Sequence, residues 1–330
     1  MAGNSGGFFT NSRNFNIYGG TFSDTSRRGM NGMQYLHQSI ASGAMHDSDA
    51  RYDPPKCHPK TRTWILDSIM KLVRAEDRNT KILWLSSPAG AGKSAIAQTI
   101  CEMSAESRHL AASFFFSRTD STRNSPTHLF STIAYQIAMH SPHFRSHLES
   151  IMERDPSILT KSMDIQLQQL ILLPIQLITN GEAIPPPVII DGLDECINEK
   201  QTHILQLISK AVSTKGFPLC VLVSSRPERH LMDEFEQEYI SKLFHELSLT
   251  TTTTTYSDIR LVLESGFLKI LESSTHRDTM KGIVRPWPSK AILDELVSRI
   301  SGQFIYAATV LKYVDNPDSR PINQLETILQ

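Results

Sequence analysis

The residues best suited to chemistry in this sequence form a short glycine-rich run at residues 87 to 94, Ser-Pro-Ala-Gly-Ala-Gly-Lys-Ser. A loop of small residues can fold tightly and direct several backbone N–H groups at one anion. An apolar run precedes this loop and a helical pattern follows it, so the anion would also face a helix N-terminus. The pattern predicts a loop that binds a polyphosphate, rather than a glycine-rich turn without a ligand.

The residues of this loop have different expected roles. Lys93 is predicted to place its ammonium on the β and γ phosphates of a nucleoside triphosphate, and the Ser94 hydroxyl to bind Mg²⁺. The sequence does not identify the base of the nucleotide, so ATP and GTP are both candidates. Ser87 stands where the usual pattern has glycine, which is expected to distort the entry turn and weaken binding without abolishing it. The predicted nucleotide contacts are Ser87, Pro88, Ala89, Gly90, Ala91, Gly92, Lys93, Ser94 and Ala95.

A group of carboxylates follows a second apolar run, Val-Ile-Ile at residues 188 to 190. Asp191 ends that run and is predicted to hold the Mg²⁺ from the side opposite Ser94, through water. Asp194 and Glu195 follow closely, and one of the two is expected to orient or deprotonate an attacking water. The sequence does not say which. An acidic turn that caps the next helix is the alternative, and the glycine-rich loop favours the metal role.

Arginines follow two further apolar runs. Arg226 is predicted to emerge at the carboxyl edge of a parallel sheet, where ligands bind, and to sense or stabilise the γ-phosphate. Pairing with surface carboxylates is the alternative. Arg118 and Arg123 are expected at the same edge, but a surface role is favoured for them. The stretch at residues 56 to 62, Lys-Cys-His-Pro-Lys-Thr-Arg, is predicted to line the base end of the nucleotide and has too few ligands for zinc.

Alternating apolar runs and amphipathic segments predict the fold class. Uninterrupted apolar runs indicate strands buried on both faces, at residues 81 to 86, 110 to 116, 187 to 190 and 219 to 223. Helical periodicity lies between them, at residues 64 to 75, 92 to 103, 126 to 139, 144 to 153, 164 to 179 and 200 to 212. Asp164 is expected to cap its helix. The fold class is therefore α/β, a doubly wound, mainly parallel sheet with helices on both faces.

Three regions are predicted along the chain. Residues 1 to 55 are rich in Gly, Ser, Asn and Asp and are expected to form a flexible arm. Residues 56 to 250 are expected to form the nucleotide-binding domain, and residues 251 to 330 a partial helical domain. That small domain is predicted to have helices at residues 258 to 271, 291 to 300 and 304 to 314, after a threonine run at 250 to 255 interpreted as a linker or ragged strand end.

One segment of the arm stands out. Residues 14 to 22, Asn-Phe-Asn-Ile-Tyr-Gly-Gly-Thr-Phe, alternate apolar and polar side chains around a Gly-Gly pair. This pattern is compatible with a small hairpin or a self-assembling cross-β segment. A disordered tail with a few adhesive residues is the simpler alternative.

Composition excludes several classes of function. The chain has 33 Lys plus Arg against 34 Asp plus Glu, so it has no net field to hold a nucleic acid or an anionic membrane. Its 4 cysteines are scattered without a Cys-x-x-Cys pair, which favours a reducing compartment. The most apolar stretch, residues 167 to 178, is too short and too interrupted to span a bilayer. We therefore expect a cytoplasmic protein without stable membrane insertion.

Several segments together resemble the NACHT NTPases of the STAND class, especially nephrocystin-like fungal proteins related to heterokaryon incompatibility factors. These segments are Cys-His-Pro-Lys-Thr-Arg, Pro-Ala-Gly-Ala-Gly-Lys-Ser-Ala-Ile-Ala-Gln, Phe-Phe-Phe-Ser-Arg, Val-Ile-Ile-Asp-Gly-Leu-Asp-Glu-Cys and Val-Ser-Ser-Arg-Pro-Glu. The likeness spans about residues 50 to 315, because residues 302 to 309 also look like that group's helical segment. The run at residues 14 to 22 resembles a leader found on many mushroom members.

The resemblance implies a signalling switch of the NOD-like receptor kind, in which nucleotide lies between the sheet and the helical domain. It implies slow hydrolysis of the nucleotide, and oligomerisation after a triphosphate has replaced the bound nucleotide. By this likeness Lys93 and Ser94 bind phosphate and metal, and Asp191 is the Walker B acid. Asp194 and Glu195 are additional acids and Arg226 is the sensor. Family members usually continue into a winged helix and a repeat array, so we expect this chain to be a truncated relative or a fragment.

Three hypotheses of function follow. The leading one is a low-turnover ATPase or GTPase that forms a homo-oligomer on activation and signals to an unknown protein partner. The second is a catalytically weak nucleotide-binding scaffold, which Ser87 at the first loop position suggests. The third is a metabolic phosphotransferase, disfavoured by the acidic cluster and by the lack of an evident lid over an acceptor substrate.

Overall fold

A five-stranded parallel sheet organises the described part of the chain. The computed structural model describes residues 30–74, 81–178, 184–197, 200–249 and 253–330. The strands of the sheet are β1 (Ile82–Ser86), β2 (Ala112–Phe115), β3 (Pro187–Asp191), β4 (Cys220–Ser225) and β5 (Phe244–Ser248). All neighbours pair in parallel, in the order β2-β3-β4-β1-β5. The predicted α/β class with a parallel sheet is confirmed.

The helices pack on the two faces of the sheet and form a group of their own near the C-terminus. Those before β3 are α1 (Gly32–His37), α2 (Thr63–Arg74), α3 (Lys93–Glu106), α4 (Leu129–His140), α5 (Pro142–Arg154), α6 (Met163–Leu167) and α7 (Leu173–Leu177). Those after β3 are α8 (Lys200–Ser213), α9 (Arg229–Phe235), α10 (Glu238–Ser241), α11 (Thr253–Glu272), α12 (Lys290–Ile300), α13 (Phe304–Val314) and α14 (Pro321–Leu329). Within the described residues, no helix has the length and apolar character needed to cross a membrane.

Two cores explain why strands β1 to β4 are largely apolar. Every residue of these strands is buried. Successive side chains point to opposite faces, so Phe114 and Ile190 join the core under α4, α5 and α8. Leu85 and Ile189 join the core under α2 and α3. Burial on both faces removes the polar alternation that marks a strand with one face in solvent.

The position of β4 between β1 and β3 brings the functional segments to one edge. Ser86 at the end of β1 pairs with Ser225, and Ile190 near the end of β3 pairs with Val223. The strands are parallel, so their carboxyl ends lie side by side. The glycine-rich loop after β1 and the acidic turn after β3 therefore flank the end of β4.

The helix predicted at residues 164 to 179 is present as α6, a π-helical segment (Gln168–Leu172) and α7. The predicted cap at Asp164 is wrong. Ser162 occupies the N-cap position, while Asp164 lies in the first turn. The Asp164 carboxylate lies 3.0 Å from Nε2 of His203 on α8, so it links α6 to α8 instead of capping the start of α6.

The described part of the predicted flexible arm is folded. α1 lies against α5, and Leu36 and Ala44 are fully buried. The backbone N–H of Ala41 donates to Oγ1 of Thr132 at 2.9 Å, and that of His46 donates to Oγ of Ser113 at 3.0 Å. The polar composition hid this packing, because only a few apolar residues of the segment face the core. The segment at residues 14 to 22 lies outside the described residues.

Two further differences concern the region around the threonine run. β5 was not predicted because it is an edge strand in which Leu247 alone is buried, so its sequence lacks an apolar run. The linker prediction is wrong for residues 253 to 255, because α11 begins at Thr253 and Thr255 is buried. The helices α11 to α14 share a core of their own around Leu263, Phe267 and Leu296.

Candidate functional site

The glycine-rich loop connects β1 to α3, as its sequence predicts. Gly90 has φ +80° and Gly92 has φ +97°, values in the left-handed region that favours glycine. A Cβ on Gly92 would meet no atom within 4 Å, so backbone conformation rather than packing requires that glycine. Ser87 does not have a positive φ, and its N–H donates to Ser225 O at 3.4 Å, so the expected distortion of the entry turn is not seen.

Lys93 is the first residue of α3 and folds over the loop. Its Nζ donates to the carbonyl of Ser87 at 2.7 Å and to that of Pro88 at 3.1 Å. Burial lowers the pKa of Lys93, and the negative charges of Asp194 and Asp191 oppose that effect. The ammonium therefore lies at the mouth of the loop, facing the carboxylates of the acidic turn.

Ser94 and Asp191 come together from different elements. Asp191 is 4% exposed, and its carboxylate accepts a hydrogen bond from the hydroxyl of Ser224 on β4 and lies near the hydroxyl of Ser94 on α3. Burial raises the pKa of Asp191, while these two hydroxyls lower it. A hydroxyl and a carboxylate are hard oxygen ligands of the kind that Mg²⁺ prefers, so the pair fits the predicted cation.

Asp194 holds Arg226 by two contacts. Its Oδ1 accepts from the backbone N–H of Arg226, and its Oδ2 lies 3.1 Å from Nε of the same arginine. The side chain of Asp194 is 4% exposed and that of Arg226 is 48% exposed. The carboxylate is thus buried beneath the guanidinium, which remains accessible at the predicted edge of the sheet.

Glu195 is less buried than Asp194 and has a different partner. Its Oε2 accepts from the backbone N–H of Arg118 at 3.2 Å, and Nη2 of Arg118 donates to Asp194 O at 2.9 Å. Arg118 therefore lies at the acidic turn. Arg123 pairs with Asp120 in its own loop, at 2.9 Å.

A cavity of about 380 Å³ joins these groups. The loop, the acidic turn and Arg226 form part of its wall. The remainder comes from the stretch before α2 and from two C-terminal helices, through Pro55, Lys56, Cys57, His58, Thr61, Arg62, Val262, Phe304, Ile305 and Ala308. The stretch at residues 56 to 62 thus adjoins the same cavity as the loop, while its role at the base end of the nucleotide stays a prediction. The contribution of α11 and α13 was not predicted.

Arg51 also lies near the site, and the sequence did not reveal it. Its guanidinium carbon lies 3.4 Å from the centre of the Phe115 ring, and Nη1 donates to Oε1 of Gln98 at 2.7 Å. Phe115 pairs in register with Asp191, and Gln98 lies one turn after Ser94 on α3. Arg51 belongs to a polar stretch with no motif, so no local signal marks it.

A comparison with known families identifies the region that carries these residues. The family model described as nephrocystin 3, N-terminal, matches residues 60–226, just over half of the 330 residues. The chain belongs to the nephrocystin 3 N-terminal family. The part of the chain matched by the nephrocystin 3 N-terminal model contains the glycine-rich loop and the acidic turn, and ends at Arg226. With its parallel sheet and loop, this member of the family is a P-loop NTPase-like protein.

No curated protein matches this nephrocystin 3 N-terminal family member. A solved structure described as "Structure of C. elegans PCH-2" is similar over 88% of this chain and 69% of that chain, with 11% sequence identity and a TM-score of 0.41. The fold assignment depends on the strand order and the parallel pairing of the chain itself, and not on this similarity.

Proposed function

We propose that this protein binds a nucleoside triphosphate, ATP or GTP, together with Mg²⁺ and hydrolyses it slowly. One observation supports this most strongly. The Ser94 hydroxyl lies near enough to the Asp191 carboxylate to lower its pKa, and both groups are close to the Lys93 ammonium, although they belong to α3 and β3. A cation shared by these two oxygens would lie where the lysine and the loop N–H groups meet the phosphates.

The loop residues have a binding role in this proposal. Backbone N–H groups between Gly90 and Ser94 bind phosphate oxygens, and Lys93 exchanges its bonds to the Ser87 and Pro88 carbonyls for bonds to phosphate. Ser94 would hold the Mg²⁺ directly, and Asp191 would hold it through water. When bound, Mg²⁺ would offset the charge that develops on the transferred phosphoryl group.

The two acids after β3 are proposed to act differently. Asp194 is buried and is already paired with Arg226, so it is suited to holding that arginine in place. Glu195 is partly exposed and borders the cavity, so it is the better candidate to orient the attacking water. Arg226 would contact the γ-phosphate with its exposed guanidinium and lose that contact on hydrolysis.

Nucleotide state is proposed to act as a switch. The cavity lies between the sheet and α11 and α13, so the γ-phosphate can favour one placement of these helices over another. The states must lie within a few kcal/mol of each other for a ligand to shift their populations. We propose that the triphosphate state forms a homo-oligomer and signals to a protein partner in the cytoplasm. The resemblance to fungal NACHT proteins suggests non-self recognition or programmed cell death as the process.

The binding proposal is tested with Lys93→Ala, and Lys210→Ala on the exposed face of α8 is the matched control. We expect the wild type and the control to bind Mg-ATP or Mg-GTP and to carry nucleotide through purification. Lys93→Ala should bind at least about tenfold more weakly, because a charge-assisted contact is lost. Equal affinities in all three proteins, or no detectable binding in any, would overturn the proposal.

A catalytically weak scaffold remains the second candidate, and one observation favours it. Both acids already have partners, since Asp194 pairs with Arg226 and Glu195 accepts from Arg118. The variant Glu195→Gln separates the two candidates. Turnover that falls about 100-fold, with nucleotide affinity retained, supports the hydrolase. Tight binding with no turnover in either protein supports the scaffold.

A further inference from the structure

Arg62 occupies an unusual position beside the phosphate loop. Arg62 is only 4% exposed, and the nearby Asp258 carboxylate, whose negative charge raises the pKa of Arg62, accepts from its backbone N–H. Nη2 donates to the carbonyl of Ala91 at 3.0 Å, while Nε has no hydrogen-bond partner among the described residues. The guanidinium lies over the Phe304 ring of α13, with its carbon 4.6 Å from the ring centre.

This arrangement is costly to fold. Burial lowers the pKa of Arg62 and the charge of Asp258 only partly opposes it, and the φ of +54° at Arg62 is strained for a residue with a side chain. Contacts with α11 hold the segment in place. The Arg62 N–H donates to Oδ2 of Asp258 at 2.9 Å, and Nε2 of His58 lies 2.9 Å from Oγ of Ser265. A strained and desolvated residue that neighbouring elements fix in this way is a candidate for a role in the site.

The bond to Ala91 has a direct consequence for the loop. Ala91 lies between the two left-handed glycines, and its carbonyl belongs to the same peptide plane as the Gly92 N–H. In a trans peptide the C=O and N–H point in opposite directions. Because Arg62 fixes the Ala91 carbonyl on its own side, the Gly92 N–H is directed to the other side. Without that bond, the peptide between Ala91 and Gly92 would be less restrained, because the glycines at 90 and 92 tolerate other backbone angles.

We propose that Arg62 is a positioning residue that fixes the peptide between Ala91 and Gly92 in its phosphate-binding orientation. Phe304 holds Arg62 in place, so the affinity of the loop for polyphosphate depends on the position of α13. This inference rests on the proposed function. It concerns the phosphate loop itself, and it therefore predicts an effect on any polyphosphate, with or without a base.

The first test compares Arg62→Met with Arg108→Met. Arg108 also has a left-handed φ, of +56°, but it is exposed after the far end of α3. The ligands are Mg-ATP or Mg-GTP and inorganic tripolyphosphate with Mg²⁺. Arg62→Met should bind both nucleotide and tripolyphosphate about tenfold more weakly, by the same factor, and Arg62→Lys should lose less. Arg108→Met should match the wild type.

Three results would overturn the inference. One is unchanged affinity of Arg62→Met for tripolyphosphate with weaker binding of nucleotide, because Arg62 would then contact the nucleoside. Another is unchanged affinity for both ligands. The third is an equal loss in Arg108→Met. Failure of the proposed function is a separate outcome, in which the wild type itself binds neither ligand.

The role of Phe304 is tested by a double-mutant cycle with Arg62. Phe304→Leu keeps an apolar side chain but removes the ring face, and Tyr313→Leu on the exposed part of α13 is the control. We expect Phe304→Leu to lower the tripolyphosphate affinity several-fold in the wild type and to have no effect in Arg62→Met. Equal effects in both backgrounds would show that Phe304 does not act through Arg62.

Discussion

Ile305 at the start of α13 donates its backbone N–H to the carbonyl of Gly90 in the phosphate loop, at 3.1 Å. The same residue fills the space beside that glycine, since a Cβ on Gly90 would lie 2.5 Å from Cγ2 of Ile305. The C-terminal helices therefore contact the part of the loop that is predicted to bind phosphate. A movement of α13 would break this hydrogen bond and change the packing beside Gly90.

This contact predicts different effects for two glycine substitutions. Gly90→Ala and Gly92→Ala both place a side chain at a left-handed φ, which costs about 1–2 kcal/mol. The added Cβ of Gly90→Ala also clashes with Ile305. Its free energy of unfolding, measured with urea in the absence of nucleotide, should therefore fall by about 1–3 kcal/mol more than that of Gly92→Ala. Ile305→Ala should remove most of that extra loss. Equal destabilisation by the two substitutions would contradict the contact.

The folded N-terminal segment predicts a large effect at Leu36. This side chain is fully buried, so Leu36→Ala should lower the free energy of unfolding by about 2–5 kcal/mol. Tyr52 in the same region is 86% exposed, and Tyr52→Ala should change it by no more than about 0.5 kcal/mol. Urea unfolding of both variants checks this. If Leu36→Ala left the free energy of unfolding unchanged, residues 30 to 52 would form a flexible arm, as the sequence predicts.

Asp120 predicts a pH dependence of stability. Hydrogen bonds from Thr122 and Arg123 lower its pKa to about 2, from the ordinary value of 3.8. A carboxylate with a lowered pKa in the folded state stabilises the protein above its ordinary pKa, and the contribution is lost as the pH falls toward 2. Asp120→Asn should therefore be less stable than the wild type at pH 6, and the difference should shrink steadily below pH 4. A difference that is constant from pH 6 to pH 2.5 would exclude this origin.

The sequence predicted the parts of the molecule that local patterns encode. Strands β1 to β4 were recognisable because burial on both faces makes them largely apolar. The loop followed from its place after β1, and Asp191 from its place at the end of the β3 run. β5 was missed because an edge strand keeps polar residues such as His245 and Glu246. The start of α11 was missed because threonine is a poor helix former, and packing overrides that preference at Thr255.

Long-range contacts account for the rest of what was missed. Arg51 reaches the site from a polar segment without a motif, and Arg62 was expected only to line the base end of the nucleotide. The contacts of these two arginines depend on Phe115 and Phe304, which are distant in sequence. The pairing of Asp194 with Arg226 likewise requires the ends of β3 and β4 to be adjacent, which strand order alone determines. No short stretch of the sequence contains both partners of any of these pairs.

The most direct test of the account asks whether Ser94 and Asp191 share one cation. The affinity for ATP or GTP is measured with and without Mg²⁺ for the wild type, Ser94→Ala, Asp191→Asn and the double variant. We expect Mg²⁺ to strengthen binding in the wild type and in neither single variant, and the double variant to bind no more weakly than the weaker single one. Losses that simply add, or a Mg²⁺ effect that survives in either single variant, would contradict a shared metal site.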